Sequence, residues 1–253
     1  SADKNPPKLK KRSRVGELSN DIEKHPDFIK IEKLAFEKFG LAAMSHRHGV
    51  FGMQQPLPPI VKYGLTFLFV QSEFGLCCPL SMTDSLTRTL TKFGDKKLIE
   101  KFFDQLTSQD LDHLFQGAMF MTEQHAGSDV GSIDTYAEYE DGNWFLTGDK
   151  WFCSNPDADL AMVLARHNKK ISGTKGLALF LLPKKLENGD PNNYEIIRLK
   201  DKLGGRSFAS GEIKLNRAFA YLVGNPDEGF KQMTDMINMS RLSNGVRASG
   251  MMQ

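Results

Sequence analysis

Residues 135–154 alternate between apolar and polar side chains around a central Asp141-Gly142 pair, and this stretch constrains the fold more than any other. Alternation is the period of a half-buried strand, and Asp-Gly is the pair that a tight hairpin turn with two positive φ angles prefers. Residues 160–166, 177–182, 194–199 and 212–215 add further short apolar runs, separated by Gly, Pro and Asn. Strands so closely spaced, with no helical stretch between them, predict a sandwich or small barrel. The sequence has neither the strand–helix alternation nor the Gly-x-Gly-x-x-Gly turn of a doubly wound domain. Nicotinamide is therefore not the expected cofactor.

Before residue 113 the period is helical. Phe28, Ile31, Ala35 and Phe39 follow His25-Pro26 at helical spacing, with Gly40 as the stop. Met82, Leu86, Leu90 and Phe93 mark one face of a second helix closed by Gly94, and Asp95 caps a third carrying Leu98, Ile99, Phe102 and Phe103. From Asp227 the helical period returns through Phe230, Met233, Ile237 and Val246. The domain expectation is a basic flexible arm (1–20), a helical domain (21–112), a β domain (113–226) and the first helix of a further helical domain (227–253). The arm rests on the run from Lys8 to Arg14, read as a disordered or subunit-hugging segment.

A net charge of +2 over 253 residues announces no nucleic-acid or acidic partner. Adjacent Cys77 and Cys78 with a lone Cys153 point to a reducing, cytoplasmic setting. The apolar stretch from Tyr63 to Cys78 contains Glu73 and is too short to span a bilayer. His46-Arg47-His48 has no Cys or carboxylate cluster beside it and reads as surface or interface histidines rather than a metal site.

The candidate chemistry begins where the run Gly117–Met121 breaks into Thr122-Glu123-Gln124-His125-Ala126-Gly127-Ser128-Asp129. Gly127 has no Cβ to exclude a closely approaching ligand or backbone, and hydroxyls with free N–H groups make a cradle for an anion or carbonyl. Beyond the hairpin stands Lys150-Trp151-Phe152-Cys153-Ser154-Asn155. Strand alternation turns Cys153 away from Phe152 and Ser154, as a buried inert thiol.

Together the two segments resemble the flavin-binding motifs of the acyl-CoA dehydrogenase family. Met121, Thr122, Glu123, Ala126, Gly127, Ser128, Asp129 and Ser132 fall in the family's signature, while Phe120 departs from it. Residues 78–83, the Trp151-Phe152 pair and residues 199–207 look like the AidB, or alkylation-response, branch. The resemblance runs from about His25 to the last residue. It implies an α+β fold: an N-terminal all-α domain, a β-barrel or sandwich middle domain, and the start of a C-terminal helical bundle that is largely missing.

It also implies FAD as cofactor and α,β-dehydrogenation of an acyl-CoA thioester, with hydride passing to flavin N5. Met121 and Thr122 would face the flavin pyrimidine edge, and Gly127 and Ser128 its ribityl-phosphate or the thioester ligand. Phe152 would lie against the ring, and Ser154 would reach N5. Arg241 is a candidate for the substrate pocket. No catalytic base is assigned, because Ser240 stands where some members carry a carboxylate and Glu123 belongs to loop architecture. The resemblance further implies a homo-oligomer, mostly tetrameric, an electron-transfer partner, and weak FAD retention without the bundle. Its alternative is a flavoprotein that binds DNA through the C-terminal domain.

Overall fold

The computed structural model describes residues 2–253. In chain order these form a hairpin of β1 (Lys8–Arg12) and β2 (Leu18–Glu23), then helices α1 (Pro26–Lys33), α2 (Pro59–Val70), α3 (Cys77–Phe93) and α4 (Lys96–Leu106). There follow β3 (Gly117–Phe120), β4 (Tyr136–Glu140), β5 (Asn143–Ser154), β6 (Leu160–Arg166), β7 (Leu177–Pro183), β8 (Tyr194–Leu199) and β9 (Ser210–Val223). The long helix α5 (Gly229–Met252) comes last. No helix among the described residues is long and apolar enough to cross a membrane.

The seven strands β3–β9 make one sheet that closes on itself. β6 pairs with β7, β7 with β9, β9 with β5, β5 with β4, and β4 returns to β6 at Tyr136–Arg166. β3 and β8 flank this ring on β6 and β9. The β4–β5 turn is the one the sequence predicts: Asp141 and Gly142 sit at φ 49° and 81°, the double left-handed geometry that suits the twist of the strands it joins.

β6 and β7 are apolar without interruption because both of their faces are covered. Val163, Ala165, Phe180 and Leu182 point into the barrel, while Met162, Leu164, Leu179 and Leu181 meet the helices. On the helical side wait Leu86 and Leu90 of α3, Phe102 of α4, and Met233 and Met236 of α5. Fully burying a side chain of this kind contributes roughly 1.5–3 kcal/mol before entropy is counted. At Gly117 the barrel meets α3 closely: a Cβ there would lie 2.9 Å from Thr83 Cα, and the Gly117 N–H donates to Thr83 Oγ1 at 2.9 Å. This contact fixes the height of α3 over the strand that leads into the signature loop.

Two expectations need correction. Residues 8–23 form an ordered antiparallel hairpin rather than a flexible arm. The side chain of Asn20 acts as an extra peptide group, donating to Tyr194 O at 3.0 Å and accepting from Ile196 N–H at 2.9 Å, so the hairpin is tied to β8. Lys11 adds an ion pair to Glu195 at 2.7 Å. His48 is exposed as expected, but His46 is half-buried: its Nε2 lies 2.8 Å from Asp84 Oδ1, and Asp84 Oδ2 accepts from the buried Lys62 ammonium at 2.7 Å. Among the described residues no cluster could hold a metal ion.

Candidate functional site

The loop after β3 is fixed by one buried carboxylate. Glu123 accepts from Asp134 N–H at 2.8 Å, from Thr135 N–H at 3.0 Å, from the Thr135 hydroxyl, and from Lys150 Nζ at 2.8 Å. Lys150 is fully buried, and its ammonium also reaches Met121 O at 3.2 Å. Burial works against the charge on Glu123, yet the Lys150 ammonium and this set of donors hold its carboxyl below the usual range. One residue further on, Trp151 N–H donates to Thr122 O at 2.7 Å. The signature loop and the end of β5 are thus locked together at Met121–Thr122 and Lys150–Trp151.

β5 carries a bulge at that point. Lys150 pairs with Ile213 and Cys153 with Gly211, so three steps on β5 oppose two on β9. The extra residue is accommodated by Phe152 at φ 56°, a left-handed conformation that a bulky side chain rarely adopts. As a result Trp151 and Phe152 both turn outward, edge to face with centroids 6.0 Å apart. Phe152 remains 62% exposed, while Cys153 is buried as the sequence predicts and burial pushes its thiol up.

The strained backbone thus holds an aromatic ring largely in the open, in contact with Trp151 and with the Lys200 ammonium 4.7 Å from its centre. Phe152→Gly should leave the fold no weaker, and up to about 1 kcal/mol stronger, because glycine adopts this φ freely. Urea unfolding measures it; a loss above about 1 kcal/mol would mean that the ring is structural.

Met121, Thr122, Trp151, Phe152 and Ser154 line one wall of a cleft of about 310 Å³ between the barrel and the helices. Cys78 and Met82 of α3 and Ser240, Asn244 and Arg247 of α5 form the other walls. Ser154 Oγ lies 3.4 Å from Ser210 Oγ, and Lys202 Nζ donates to Phe208 O at 2.7 Å behind it. Burial lowers Lys202 to about 8. Burial also pushes the Cys78 thiol up, against the pull of Arg247 and of hydrogen bonds from Ser154 and Arg247. No carboxylate of the described residues lines this cleft.

Of the residues predicted from sequence, Met121, Thr122, Phe152 and Ser154 therefore come together. Gly127 and Ser128 are exposed on the loop outside the cleft lining. A Cβ at Gly127 would meet only Thr122 Cγ2, at 4.0 Å, so no other part of this chain requires a glycine there. Arg241 is exposed and does not line this cleft, whereas Arg247 of the same helix is buried and does. Sequence reasoning missed Cys78, Asn244 and Arg247. The signal existed in α5, since Ser240, Asn244 and Arg247 stand at i, i+4 and i+7 and so share a face.

Comparison with known proteins accounts for both halves of the chain. Residues 1–113 match the family model for the adaptive response protein AidB N-terminal domain, and residues 118–218 match that for the acyl-CoA dehydrogenase middle domain. Acyl-CoA dehydrogenase family member 11 of Caenorhabditis elegans is 32% identical over 256 residues, covering 98% of this chain and 41% of that protein. The putative acyl-CoA dehydrogenase AidB of Escherichia coli is 31% identical over 270 residues, covering 100% of this chain and 46% of that protein. The solved structure of the C. elegans protein in complex with C11-CoA superposes with a TM-score of 0.86 at 30% identity, over 98% of this chain and 43% of that one. The chain spans less than half the length of these two curated relatives.

Proposed function

We propose, on the premise that the chain belongs to the acyl-CoA dehydrogenase family through an AidB-type N-terminal domain and an acyl-CoA dehydrogenase middle domain, that its cleft binds FAD and serves the α,β-dehydrogenation of an acyl-CoA thioester. The observation that carries this reading is the outward Phe152 ring on its strained bulge, with the Thr122 and Ser154 side chains in the same cleft. A flat ligand with hydrogen-bonding edges needs such a ring beside hydroxyls. The residues therefore fit the cofactor. FAD, when bound, supplies the hydride acceptor.

In this reading the chain's own residues bind and orient. Phe152 offers a flat contact, Ser154 donates at the N5 edge, and Thr122 with the Met121–Thr122 backbone faces the pyrimidine edge. Gly127 and Ser128 hold the more exposed part of the cofactor or the thioester ligand. The locked Glu123–Lys150 pair keeps the loop wall from drifting relative to the strand wall, and small displacements at a reacting centre are costly. The α-proton must leave to a base, and the cleft lining offers no carboxylate for it. We assign the base to the part of the family's length that this chain does not span, and with it a share of FAD affinity.

The test is an absorbance spectrum after FAD addition and gel filtration. It is run on this chain and on one extended to the relatives' length, followed by acyl-CoA turnover with an artificial electron acceptor. Flavin should be held firmly, and acyl-CoA oxidised, only by the longer protein. A longer protein that neither turns yellow nor oxidises acyl-CoA would overturn the assignment.

A further inference from the structure

Arg247 is a buried cation, only 4% exposed, with no carboxylate partner among the described residues. Its Nε donates to Ser243 O at 3.3 Å and one Nη to Asn244 Oδ1, both on its own helix, and the group lies 5.7 Å from the Phe74 ring centre. A guanidinium has five N–H donors, so even with a bond to the Cys78 thiol some donor capacity is left for the cleft that it lines. The Cys78 thiol beside it is no counter-ion, because burial keeps that thiol protonated. A buried cation without a counter-ion is expensive, and a ligand of opposite charge bound there would relieve that cost.

The surroundings specify the relief. Met82, Met119, Met121, Phe74 and Phe208 make the walls largely apolar, so the ligand there is mainly hydrocarbon with one anionic group. One planar guanidinium matches one planar carboxylate through two parallel hydrogen bonds, whereas a phosphate dianion would be left half neutralised. We propose that Arg247, with Asn244 and Ser240 on the same face of α5, binds a carboxylate carried by an otherwise apolar ligand. Within the proposed function the substrate is then an acyl thioester whose acyl group bears a free carboxylate, and to that extent the inference rests on that reading.

The experiment uses this chain and three six-carbon probes: hexanoate, hexanamide and hexyl phosphate. Binding is followed by calorimetry and by tryptophan fluorescence, to which Trp151 in the cleft contributes. Hexanoate should bind at least tenfold more tightly than the other two; Arg247→Gln should abolish that preference and Arg247→Lys should keep part of it. Arg247→Met, which retains the apolar stem, should raise the denaturation midpoint of the ligand-free chain, since it removes an unpaired buried charge. Equal binding of hexanamide, preference for hexyl phosphate, an unchanged Arg247→Gln variant or a lowered Arg247→Met midpoint would each overturn the proposal. Flavin absorbance separates the two readings. Carboxylate preference without flavin in the longer protein defeats only the dehydrogenase assignment, and flavin binding without the preference defeats only the carboxylate site.

Discussion

Glu123→Gln is expected to destabilise the chain by about 3–5 kcal/mol, the usual consequence of removing one partner from a buried ion pair. The amide retains the shape but strands the Lys150 ammonium, whose only other acceptor among the described residues is Met121 O at 3.2 Å. It also replaces an acceptor by a donor facing the N–H groups of Asp134 and Thr135. Urea unfolding at neutral pH measures the loss. The pH dependence has a definite sign. The folded carboxyl titrates below its unfolded value, so its contribution is present in full above the unfolded value and disappears as pH falls through the folded one. The gap between wild type and variant should therefore narrow in acid. A gap that is constant with pH, or a loss under about 1 kcal/mol, would mean that the pair is not the keystone of the loop. Because the pair fixes Met121 and Thr122 against Trp151, FAD affinity in the extended protein should fall even where the variant remains folded.

Asp84→Asn should cost a similar 3–5 kcal/mol in a different part of the molecule. Asp84 serves two bases, and the buried Lys62 has no other carboxylate partner among the described residues. Burial opposes the charge on Asp84, but His46 and Lys62 together hold it below its ordinary value, so acid should weaken this contribution as well. The informative control is the paired change Lys62→Met with Asp84→Leu. Packing of similar volume without charge should recover most of the loss, because desolvation of both ions is then avoided. If the single and paired changes cost the same, shape rather than charge governs the site.

The sequence disclosed most where local chemistry and tertiary context agree. Asp141-Gly142 makes its turn, and Asp95 caps α4 by accepting from Leu98 N–H at 2.8 Å. The barrel runs were readable because burial on both faces leaves β6 and β7 with no polar interruption. The hairpin of β1 and β2 was not readable, since its residues are polar and its strands are held by Asn20 reaching a strand more than 170 residues away. β9 was seen only at residues 212–215, because Arg217 at φ 53° breaks the alternation within a strand that runs from Ser210 to Val223. The place of Arg247 in the cleft was not readable for a related reason. The apolar residues of α5 do not mark one clear stripe, so the motif position outweighed the helix face, and the buried positions Met233, Met236, Ser243, Arg247 and Gly250 emerge only in the packed structure.

The helical layer is split in sequence by the barrel. α5 packs on α2 and α3, and its Asp235 pairs with Arg88 and Lys92, across a segment that holds every strand from β3 to β9. Synthesis from the N-terminus therefore completes α3 long before its partner helix exists. Until residues 94–228 have emerged and the barrel has closed, the apolar side of α3 stands without its cover, and a chain in that state is prone to stick to its neighbours. The same separation makes the last helix a latch. Unfastening it would open the cleft and loosen the oldest helices together while leaving the barrel shut, so partial opening should be visible as amide exchange shared by α2, α3 and α5 but not by β6 and β7.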